Sequence, residues 1–123
     1  SSFHTWNQFV IRIKNTNFSL KSNFNDLYET DFSKNKTHRN NLKYHLAQKG
    51  INSIIYYPMP IHAQLAYKYL NVDRVNLIET EKICTEVISL PMFPEITQEE
   101  QVYVSENLNF ILDTYINKIQ ISA

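Results

Sequence analysis

The sequence predicts an α+β fold, a two-layer sandwich in which a small, mainly antiparallel three-stranded sheet carries helices on one face. Three observations lead there. The elements run strand, helix, strand, two short helices, strand, long helix. Three short strands with so few helices cannot be covered on both faces, so a single helical layer is the natural packing. The chain has 123 residues, 43% of them hydrophobic, which fits one domain (1–123) with its own core.

Trp6 to Lys14 reads as the first strand. Alternation places Phe9, Ile11 and Ile13 on one face and Trp6, Gln8, Val10 and Arg12 on the other. Both faces hold apolar side chains, the pattern of an interior strand. The polar stretch 15–36 is a surface excursion. Thr37 is placed to N-cap a helix ending at Lys49, with Leu42, His45 and Leu46 on one face and the lysine stem at its edge. Gly50 follows at C′, where a left-handed backbone is needed. Ile51 to Tyr57 is the second strand, β-branched at Ile51, Ile54 and Ile55.

Gln64 to Leu70 is a short helix whose apolar stripe is Leu65, Ala66, Tyr69 and Leu70, and Asn71 to Asn76 is a loop. Glu79 to Val87 is helical with Ile83, Cys84 and Val87 inward. Ile88 to Leu90 is the third strand, stopped by Pro91. Thr97-Gln98-Glu99-Glu100 is a capping box opening a long helix, with Val104, Leu108, Ile111, Leu112, Tyr115 and Ile119 on one stripe. The open sheet face, carrying Trp6, Val10 and Arg12, then needs a partner, as in an accessory domain.

Composition excludes several functions. A formal net charge of +0 leaves no electrostatic footprint for nucleic acid or an anionic membrane. No apolar run reaches membrane-spanning length, and the first residues are not patterned as a signal peptide. The lone Cys84 cannot form an internal disulfide, which fits a reducing, cytoplasmic compartment. His4, His38, His45, His62 and Cys84 lack the close spacing of a structural zinc site, so no metal is expected. The chain has one glycine, Gly50. Phosphate-cradling loops need several, so any phosphorylated cofactor must be held by another chain or segment. The absence of an initiator methionine suggests a processed chain or a piece of a longer one.

The stretch Tyr56-Tyr57-Pro58-Met59-Pro60-Ile61-His62-Ala63-Gln64 carries the strongest functional signal. Two prolines two apart enforce a stiff, extended elbow beside aromatic and titratable side chains. Alternation sends Tyr56 and Tyr57 to opposite sides, one toward a ligand and one toward the core. His62 either points into a cleft or caps the short helix that follows.

These residues resemble the C-terminal small domain of the DegT/DnrJ/StrS-type aminotransferases. The likeness runs through His4-Thr5-Trp6-Asn7 leading into the first strand, Arg39-Asn40-Asn41-Leu42 to Lys49-Gly50-Ile51, Tyr57 to Tyr67, and Ser89-Leu90-Pro91-Met92-Phe93-Pro94 with Thr97 to Glu100. Stretch 15–36 is longer than the corresponding connection, and Ile78 stands where the family often has proline.

The resemblance implies a pyridoxal-phosphate enzyme that aminates keto groups on nucleotide-linked sugars, homodimeric when complete. It also implies that the Schiff-base lysine, the aspartate facing the pyridine nitrogen and most of the phosphate cup lie in a large domain absent from these residues. On that basis the chain alone binds no cofactor, holds no catalytic residue and is inactive. Its substrate-facing candidates are Tyr57, Pro58, His62 and Arg12. Arg12 either binds a substrate carboxylate or forms an interdomain salt bridge. The alternative is a stand-alone binding or regulatory module that covers its open sheet face by self-association.

Overall fold

A computed structural model describes residues 9–14 and 37–116. Strand β1 (Phe9–Arg12) pairs antiparallel with β2 (Val87–Leu90), matching Phe9 with Leu90, Val10 with Ser89, Ile11 with Ile88 and Arg12 with Val87. Paired residues share a face. Ile11, Ile88 and Leu90 therefore turn together toward the helices, while Val10, Arg12 and Ser89 take the other side. Helix α1 (His38–Gln48) supplies Leu42 and Leu46 to the same core, joined by Ile51, Ile111 and Ile116.

Local chemistry sets the ends of α1. The Thr37 hydroxyl accepts from the Asn40 N–H at 3.2 Å. At the far end Gly50 takes φ +72°, and the N–H groups of Gly50 and Ile51 donate to the carbonyls of Ala47 and Leu46, each at 3.0 Å. That pair of bonds is a Schellman closure, which satisfies carbonyls the helix cannot.

Helix α3 (Gln98–Ile111) opens with the expected box. The Thr97 hydroxyl accepts from the Glu100 N–H at 3.1 Å, and the Glu100 carboxylate accepts from the Thr97 N–H at 2.8 Å. The helix runs on into a single π-turn, Leu112–Ile116. There the Tyr115 ring stacks on His45 of α1 with centroids 3.7 Å apart. The Tyr103 hydroxyl donates to the Lys49 carbonyl at 2.9 Å, which locks α3 to the exit of α1. Ile119 and Trp6 lie outside the described residues.

Several expectations need correction. The described sheet has two strands, not three. The segment 51–57 makes one isolated bridge, in which Ile54 and Ser89 exchange hydrogen bonds of 3.0 and 2.7 Å. The chain bends at Tyr56 into the proline elbow, where neither Pro58 nor Pro60 has an N–H to extend a ladder. β2 is thus the middle element, and β1 pairs along one edge only among the described residues rather than lying in the interior.

Residues Leu65–Leu70 form a 3₁₀ helix, and the stripe assigned to them faces solvent: Leu65 is 80% exposed and Tyr69 78%. Helix α2 (Ile78–Glu86) buries Glu81 and Thr85 completely, while Ile83 is exposed and Cys84 and Val87 are half-buried. The buried residues of α2 are Glu81, Thr85 and Glu86, so its inward side is polar. The loop expected over 71–76 holds a short 3₁₀ turn, Arg74–Leu77, N-capped by Asp73.

Candidate functional site

Glu81 is the least expected group in the molecule, a carboxylate with no solvent exposure. A buried charge must be paired and hydrogen-bonded. Glu81 meets that demand with two partners that come back to α2 from the elbow and the loop. His62, in the 3₁₀ turn Ile61–Ala63, places Nε2 2.9 Å from Oε1. Arg74 forks across both oxygens, with Nε 3.0 Å from Oε1 and Nη2 2.8 Å from Oε2. Burial pushes the Glu81 carboxyl up, but hydrogen bonds from Arg74 and His62 outweigh it, and the carboxyl sits below its ordinary value.

That shift fixes a pH dependence. A carboxyl depressed by folding stabilises the fold fully above its unfolded value, near about 4.3. The contribution drains away as pH falls through the lower folded value. Denaturation midpoints are therefore expected to hold between neutrality and about pH 5 and to fall on further acidification. Glu81→Gln should flatten the acid limb; an unchanged limb would dismiss Glu81 as its source.

A buried cation, Arg39, holds the other end of α2. Arg39, 3% exposed, donates from Nη1 to the carbonyls of Cys84 (2.9 Å) and Val87 (3.1 Å), and from Nε to Asn40 Oδ1 (2.7 Å). Burial pushes its guanidinium down to about 10, so it remains charged at neutral pH. Burial also raises the Cys84 thiol, with Glu81 adding to the shift and Arg39 opposing it, so Cys84 is not poised as a nucleophile.

An open groove of about 580 Å³ lies under the elbow. The elbow contributes Tyr56, Tyr57, Met59, Pro60, Ile61 and Gln64; Thr80, Ile83, Cys84 and Val87 close the other side. The lining is mostly apolar, with a few hydroxyl and amide groups to orient a ligand.

The structure disperses the sequence-derived candidates. Tyr57 is 73% exposed on the groove rim, with half-buried Pro58 beside it. Tyr56 is exposed too, its ring edge-on to Tyr57 with centroids 5.9 Å apart, so neither tyrosine belongs to the core. The bend at Tyr56 breaks the alternation that separated them. The His62 side chain, 9% exposed, neither lines this groove nor caps the short helix but faces Glu81. Arg12 is bound within the chain. Its Nε donates to the buried Glu86 carboxylate, which raises the guanidinium above its ordinary value, and its Nη2 lies 3.6 Å from Glu79.

Sequence reading missed Glu81, Arg74 and the buried role of Arg39. The available signal was an arginine seven residues before a glutamate, with Thr85 one turn further along the same helix.

Among the described residues, no group of three or more His, Cys, Asp or Glu side chains could hold a metal, and no helix is long and apolar enough to cross a membrane. The described lysines are also occupied or remote. Lys43 donates to the Ser53 carbonyl, Lys82 pairs with Glu79, and no lysine lines the elbow groove.

The chain belongs to the DegT/DnrJ/EryC1/StrS aminotransferase family, which it matches over residues 4–109. Its relatives include the pleiotropic regulatory protein of Geobacillus stearothermophilus, 41% identical over 70 residues (57% of this chain, 19% of that protein). The dTDP-3-amino-3,6-dideoxy-alpha-D-galactopyranose transaminase of Aneurinibacillus thermoaerophilus is 30% identical over 106 residues (86% of this chain, 22% of that protein). The UDP-N-acetyl-3-dehydro-alpha-D-glucosamine 3-aminotransferase of Acidithiobacillus ferrooxidans is 37% identical over 62 residues (50% of this chain, 16% of that protein). The chain thus spans about a fifth of the length of these curated relatives.

The elbow groove does not fit pyridoxal phosphate, the cofactor that the family implies. The elbow groove offers no amine for its aldehyde and no cation for its phosphate. Gly50, the one glycine, ends α1 rather than shaping an anion loop.

Proposed function

We propose that this chain is the C-terminal small domain of a pyridoxal-phosphate-dependent aminotransferase acting on nucleotide-linked keto sugars, and that it is inactive by itself. One observation carries the reading: the dTDP-sugar transaminase relative aligns with 86% of this chain, yet the alignment takes up only 22% of that enzyme. The rest of such an enzyme has room for the lysine and phosphate cup that the elbow groove lacks. In this reading the complete protein is a cytoplasmic homodimer, and the elbow forms one wall of its active site. Tyr57 supplies the rim, with Pro58 following it in the elbow, and Tyr57 offers a rigid ring face to a sugar or base. His62 and Arg12 take part from behind that wall, each already oriented by a carboxylate.

The purified chain mixed with pyridoxal phosphate is expected to show neither the visible absorption of a protein-bound cofactor nor transamination. Joined to or co-expressed with a lysine-bearing large domain, it should complete an active enzyme. A cofactor-bound spectrum from the chain alone would overturn the proposal. So would a self-complementary dimer indifferent to the large domain, which would mark a stand-alone binding module instead.

A further inference from the structure

Residues 64–77 form a strap across the surface, and not one of them is buried. Leu65, Tyr69 and Val75 turn outward, so hydrophobic burial does not hold the strap down. Its polar attachments converge instead. His62 stands just before the strap and Arg74 near its end, and both reach the one carboxylate of Glu81, using both oxygens. The strap cannot lift without withdrawing Arg74, and Glu81 would then be left buried and short of a partner.

We infer that Glu81 is a positioning residue, a clasp on α2 that ties both ends of the 62–77 segment and thereby fixes the elbow preceding it. The coupling is reciprocal. The closed strap satisfies the carboxylate, and the carboxylate keeps the strap closed. A fork from Arg74 makes the attachment directional as well as strong, because two parallel N–H···O bonds fix the guanidinium plane. The consequence for substrate, that the clasp holds Tyr57 on the groove rim, rests on the function proposed above; the clasp itself does not.

Hydrogen exchange read by mass spectrometry on the whole chain tests this. The reporters are peptides covering 61–77, where the Gln64 and Tyr67 N–H groups close local turns at 3.1 and 3.0 Å. Peptides from α1 and α3 are the reference. Glu81→Gln keeps the side-chain shape and removes the charge, and should speed exchange in 61–77 by roughly ten- to hundredfold with α1 and α3 unchanged. Arg74→Lys keeps the charge and loses the fork, so it should give a smaller rise in the same peptides. It also keeps the test alive if the Glu81 variant does not fold.

Equal acceleration throughout the chain in both variants would overturn the clasp, as would strap exchange that neither variant alters. The readout needs no substrate or cofactor. Failure of the aminotransferase reading would therefore leave it standing, and its own failure would leave that reading untouched.

Discussion

Arg39→Ala is expected to destabilise the fold by about 2–4 kcal/mol, since each buried acceptor left unsatisfied costs about 1–3 kcal/mol. Cys84 lies in the last turn of α2, where carbonyls have no intrahelical partner, and Val87 begins β2. A single guanidinium nitrogen serves both carbonyls. Arg39 therefore welds the start of α1 to the junction of α2 and β2, and alanine would open a polar void there. Lysine should recover only part of the loss, because a point-like ammonium cannot also reproduce the planar bond to Asn40. Urea denaturation at neutral pH measures both variants. A loss below about 1 kcal/mol for alanine would mean that water replaces the guanidinium at no net cost.

Leu46→Ala should cost about as much by a different route. Leu46 has no solvent exposure and sits in the cluster with Leu42, Ile88 and Ile111. Truncating such a leucine costs about 2–5 kcal/mol, as transfer free energy plus the cavity left behind. Leu65→Ala removes the same atoms from a strap residue in water, and should stay within about 0.5 kcal/mol of the parent. The pair separates core from surface with identical chemistry. Equal losses would contradict the outward direction of the strap.

What could be read in advance was what is decided locally. Thr37 and Gly50 bound α1, and Thr97 with Glu100 starts α3, because caps depend on residues three or four apart. The stripe of α3 was legible for the same reason: Val104, Leu108, Ile111 and Leu112 all pack toward the core. The second strand failed because a strand exists only through its partner, and Ile54 is the single residue of 51–57 that bridges to β2.

The inward face of α2 failed because an apolarity count favours Ile83 over Glu81. Only the return of Arg74 and His62 makes burial of that carboxylate affordable, and contacts across 7 and 19 residues leave no periodic trace. In the candidate site, the elbow was legible from two prolines, although one of its tyrosines was expected in the core and both are exposed. The ion pairs that occupy His62 and Arg12 were not legible.

Gly50 has empty space where a β-carbon would go, so nothing around it enforces the absence of a side chain. The demand comes wholly from its φ of +72°. The described residues contain one other left-handed position, and asparagine holds it, Asn71 at φ 45°. Among L-residues asparagine tolerates that region best after glycine. Among the described residues, the one left-handed position that glycine does not fill is thus held by an amide side chain. Gly50→Asn should accordingly be a gentler exchange than Gly50→Ala, even though alanine is the smaller residue.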